Sequence, residues 1–63
     1  MDAKDRYLAT LKDIREAADA LAVARDAMTD GRLPDAIDQM SFVRHLMLAA
    51  ITRTRNEQER AQW

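Results

Sequence analysis

The only glycine and the only proline of the chain, Gly31 and Pro34, lie three residues apart at its midpoint, and the long stretches on either side contain neither. Glycine closes helices by taking the left-handed conformation just past the last turn. Proline opens them, because its missing N–H has no intrahelical partner at the first position anyway. The pattern predicts an all-α antiparallel helical hairpin: one domain over 1–63, helix one over about 3–30, a connection of about three residues and helix two over about 34–60. Leu33 is expected to pack against the junction.

Size then argues for assembly. A chain of 63 residues with no cysteine has neither a disulfide framework nor a thiolate metal site to reinforce it. Scaffolds this small bury only about 60% of their unfolded surface and depend on such staples or on oligomerisation. The hairpin is therefore expected to dimerise into a four-helix bundle. No apolar run approaches the ~18 residues of a membrane span, and the charged opening Met1-Asp2-Ala3-Lys4-Asp5 does not suit a signal peptide. A cytoplasmic location, with no membrane partner, is the expectation. A net charge of −1 gives little long-range pull on polyanions.

In helix one, Asp2 is placed to cap the first turn, with Asp5 at the positive end of the helix dipole. Tyr7, Leu11, Ile14, Ala18, Leu21, Arg25 and Met28 follow heptad, coiled-coil spacing and read as the seam against helix two. Leu8, Ala17, Ala22 and Ala24 flank it. Arg25 sits at a seam position, where its stem packs and its head reaches water or a carboxylate.

Helix two has apolar residues around roughly two-thirds of its circumference at ~100° per residue, more than one neighbouring helix can cover. The surplus centres on Phe42, Leu46 and Ala49, which are assigned to a dimer or partner interface. Leu11, Ile14, Leu21, Val43, Met47 and Ile51 are expected to hold the hairpin together. Beyond Ile51 the sequence turns polar, with Arg53–Glu57 and Arg55–Glu59 spaced to pair along the helix. Trp63 is read as either docking on Tyr7 or Met1 or staying mobile.

Sites for chemistry are not evident. Asp38 and His45 are seven residues apart, about 10 Å along a helix, too far for Asp38 to orient the imidazole beside Ser41. Asp13, Glu16 and Asp19 diverge by about 60° at each step, so they do not converge on a cation. No catalytic, cofactor-binding or metal-binding residue is assigned. Arg53, Arg55 and Arg60 form the one candidate recognition surface, although Glu57 and Glu59 between them lower the local potential.

In length, midpoint turn and near-neutral charge the chain resembles the Rop family of plasmid-encoded hairpins, whose layout is a homodimeric four-helix bundle. The likeness is one of layout; it carries over no residue-level motif and no RNA binding. The functional expectation is a small non-enzymatic protein–protein interaction module, a regulator or adaptor of bacterial or phage type. It works as a homodimer and binds another protein. The alternative is a nucleic-acid-binding regulator that uses the arginine-bearing half of helix two.

Overall fold

A computed structural model describes residues 2–62, which form two helices and no strands. The first, α1, spans Ala3–Thr29, and the second, α2, spans Leu33–Ala61. They pack antiparallel along nearly their whole lengths, and the Cα trace measures 49 × 15 × 13 Å. The expectation concerning Trp63 and Met1 lies outside the described residues.

Local signals set the helix ends. The Asp2 carboxylate accepts a hydrogen bond from the Asp5 backbone N–H at 3.0 Å, satisfying one of the unpaired donors of the first turn. At the other end the Arg32 N–H donates to the Ala27 carbonyl (2.8 Å) and the Gly31 N–H to the Met28 carbonyl (3.1 Å). This crossed pair is a Schellman motif, and it requires the left-handed φ of +73° that Gly31 adopts. The second helix begins at Leu33, one residue earlier than the proline suggests, with Pro34 inside its first turn. The Arg32 guanidinium bridges Asp30 (3.3 Å) and Asp35 (3.1 Å) across the turn. Leu33 does not tuck against the junction; it is exposed, because a connection this tight directs its side chain to solvent.

The seam differs from the heptad expectation by one residue along α1. The side chains turned toward α2 are Arg6, Thr10, Asp13, Ala17, Ala20, Ala24 and Ala27, each one position before its expected counterpart. One residue is ~100° of rotation. Facing them on α2 are Ala36, Gln39, Val43, Leu46, Ala50 and Glu57, all buried or half-buried. Counting inward from the Arg6–Glu57 contact sets Ala17 level with Leu46, Ala20 with Val43 and Ala27 with Ala36. The physical reason is close approach: a face of methyl groups lets two helices come together tightly, whereas Leu11, Ile14 and Leu21 between them would hold the axes apart.

Among the described residues the buried set is therefore Ala17, Ala20, Ala24, Ala27, Ala36, Leu46 and Ala50, a core of alanines around one leucine. The open end closes with charge. Arg6 is paired with Glu57 and Arg53 with Asp13 across the helices, while Arg60 joins Glu57 at 2.7 Å. Glu57 thus bonds across the seam and one turn forward, and the expected Arg53–Glu57 pairing gives way to Arg53–Asp13.

Candidate interaction surface

Filling the seam with alanine leaves the large apolar side chains outside. On α1 the stripe Tyr7, Leu11, Ile14, Leu21 and Met28 is about half exposed throughout, from 45% at Leu11 and Ile14 to 55% at Tyr7. On α2, Met40 and Ile51 are exposed to a similar degree and Met47 is half-buried. The two stripes lie on one side of the hairpin. Ile14 shares a shallow groove with Met47, Ala50 and Ile51, and a second groove brings Tyr7 and Leu11 against Thr54. Of the residues assigned to the hairpin's own seam, Leu11, Ile14, Leu21, Met47 and Ile51 thus lie on an outward apolar face, and Val43 stays between the helices.

A smaller apolar patch occupies the opposite side. Phe42 is nine residues from Ile51 and Val23 nine from Ile14, about half a circle of helix in each case at ~100° per residue. Phe42 and Val23 are 45% and 47% exposed. Of the three residues assigned to the interface, Phe42 is on this side, Ala49 is half-buried beside it, and Leu46 is buried within the hairpin against the alanines of α1.

Charge divides between the two sides. Neither large stripe contains an acidic side chain. Three arginines lie on that face: Arg55 lines the groove with Ile14, Arg44 lines one with Ile37 and Met40, and Arg25 stands between Leu21 and Met28, while Glu57 lines the groove with Tyr7 and Leu11. Among the described residues Arg25 pairs with its sequence neighbour Asp26, at 3.3 Å, with its head in solvent.

The proposed arginine surface is split. Arg53 and Arg60 share a groove with Arg6, Asn56 and Glu57, while Arg55 lies on the apolar side. All three arginines in the shared groove are engaged by carboxylates, Arg53 by Asp13 and both Arg6 and Arg60 by Glu57. Hydrogen bonding to Arg6, reinforced by the positive charges of Arg6 and Arg60, holds the Glu57 carboxyl below its ordinary range, and the same hydrogen bond together with the Glu57 charge raises the Arg6 guanidinium.

Asp38, Ser41 and His45 are all exposed on α2. Among the described residues, no three His, Cys, Asp or Glu side chains come close enough together to hold a metal ion, and no helix is long and apolar enough to cross a membrane.

Spacing and hydrophobicity of the large residues do not reveal the outward face, yet the sequence carries a signal for it. Alanines at 17, 20, 24 and 27 repeat with the same three-four spacing as the leucine stripe one residue on. Compared with known protein families, curated proteins and solved structures, the chain matches none.

Proposed function

We propose that this chain is a small non-enzymatic protein–protein interaction module, a regulator or adaptor that works as a homodimeric four-helix bundle. One observation carries the reading: the hairpin buries alanines with Leu46 as the one large side chain among them, and leaves most of its leucines, isoleucines and methionines exposed. A buried alanine methyl contributes about 0.8 kcal/mol. Ordering the backbone of the same residue costs about 1–2 kcal/mol. A seam built this way leaves the apolar contacts that stabilise the fold to be made outside the single chain.

That requirement favours a second copy over a foreign protein. Cover that the fold itself needs must be present whenever the chain is present, and another copy of the chain always is. Closed homo-oligomers are also the common outcome of an unpaired apolar face. The nucleic-acid reading has less support, because Arg53 and Arg60 are already paired with Asp13 and Glu57.

Sedimentation equilibrium over a wide concentration range tests the proposal. Twice the chain mass is expected, with helicity and mass lost together on dilution. A stable, fully helical monomer at all concentrations would refute it.

A further inference from the structure

Resting on the dimer reading above, we infer that the second copy seats on the face formed by Tyr7, Leu11, Ile14, Leu21 and Met28 of α1 with Met40, Met47 and Ile51 of α2, and that the Phe42 side stays outside the bundle. Three observations favour this side.

The first is area. Eight large side chains, most of them about half exposed, leave on the order of 700 Å² available, close to the ~800 Å² per partner of a standard stable interface. The opposite side has Phe42 and Val23 as its large apolar residues, and Leu46, which would have extended it, is consumed by the hairpin.

Continuity is the second. Shallow grooves run between the helices on this side, from Tyr7, Leu11 and Thr54 to Ile14, Met47 and Ile51. Side chains of a facing copy can enter them as knobs, as bundle packing requires. A two-fold axis in the plane of the face brings these same stripes together from both copies, and every helix meets an antiparallel neighbour whether the axis runs along the hairpin or across it.

The third is charge. No acidic group lies in either stripe; Glu57, which lines the Tyr7 groove, is held by Arg6 and Arg60, and Arg25, Arg44 and Arg55 sit among the apolar side chains, where long stems cover apolar surface while the heads reach water. Each ionic group on this face thereby has a partner of opposite charge within the chain or a path to solvent when the contact is desolvated.

The deciding experiment uses the unaltered chain: an equimolar mixture of isotope-labelled and unlabelled protein, with NMR filtered to contacts between copies. Methyl contacts joining Ile14, Leu21, Met47 and Ile51 of one copy to the same group in the other are expected. A parallel measurement compares Leu21→Asp with Phe42→Asp by sedimentation. Leu21→Asp is expected to weaken the dimer on the order of 100-fold or more, and Phe42→Asp less than about 10-fold.

Contacts between copies centred on Phe42 and Val23, or a reversed order of the two variants, would overturn the assignment while leaving the dimer intact. A wild-type chain that stays monomeric would overturn the assignment together with the reading beneath it. An added acidic amphipathic peptide that shifts the Ile14 and Leu21 methyls of such a monomer would give the face to a foreign helix, and so count against a second copy.

Discussion

Arg6 and Glu57, 51 positions apart in the chain, meet across the open end of the hairpin, with Arg6 Nη2 at 3.3 Å from Glu57 Oε2 and a second, shorter contact through Nε. The pair fastens the termini of both helices at the point where the alanine seam has ended. Because Arg6 and Arg60 favour the ionised carboxylate, Glu57 titrates below its ordinary value of 4.5 in the folded chain.

The sign of the pH effect follows. A carboxyl with a depressed folded-state pKa contributes stability that is fully present above the unfolded value and is lost as pH falls through the folded one. Thermal melts between neutral and acidic pH are expected to show declining stability below the ordinary carboxyl range. Glu57→Gln should lower the neutral-pH melting temperature and flatten this decline. A wild-type and variant difference that does not change with pH would show that the pair has no ionic role.

Replacing Ala24 with leucine places a large side chain where a methyl lies buried between the helices. Overpacking of this kind costs about 1–3 kcal/mol. Ala22→Leu, two residues away on the exposed surface, is expected to stay within about 0.5 kcal/mol of wild type. Urea unfolding at a fixed chain concentration compares the two; equal effects would contradict an alanine seam between the helices.

Gly31 stands at φ +73°, and a methyl group added there meets nothing within 4 Å. The cost of Gly31→Ala is therefore conformational rather than steric, about 1–2 kcal/mol for an L-residue held in the left-handed region. Asparagine, which tolerates that region, should recover part of the loss. A Gly31→Ala variant as stable as wild type would mean that the turn can re-form in another geometry.

Salt separates self-association from nucleic-acid binding. With Arg25, Arg44 and Arg55 of both copies around the contact, added salt screens repulsion and is expected to leave dimer affinity unchanged or strengthen it. A polyanion complex would weaken steeply under the same titration. Sedimentation in rising sodium chloride checks the first, and a gel shift with duplex and hairpin probes the second.

Gly31 and Pro34 made the hairpin and its ends legible because both act through local backbone geometry, which neighbouring residues largely determine. The inward face was not legible in the same way. Ranking residues by size and hydrophobicity pairs Leu11, Ile14 and Leu21 with the first available neighbour, whereas a two-layer assembly can give the nearest neighbour alanine and a more distant one leucine. That choice is tertiary, and Ala20 looks the same in sequence under either arrangement. Glu57 illustrates the matching difficulty with charge: spacing along the helix offers Arg53 as partner, and only the folded register brings Arg6 to it. For Phe42, Leu46 and Ala49, spacing shows an excess of apolar surface on α2, and only the folded register shows that Leu46 is used within the hairpin.

A methyl has no rotamers, and the alanines of α1 recur at an interval close to a heptad, so sliding one helix against the other by two turns would exchange much the same contacts along the middle of the rod. Steric fit there hardly distinguishes one alignment from the next. The tight loop at one end and the ionic latch at the other therefore act as the two stops that set alignment. A chain nicked at the loop and altered at Arg6 would keep its helices yet lose its fixed registration.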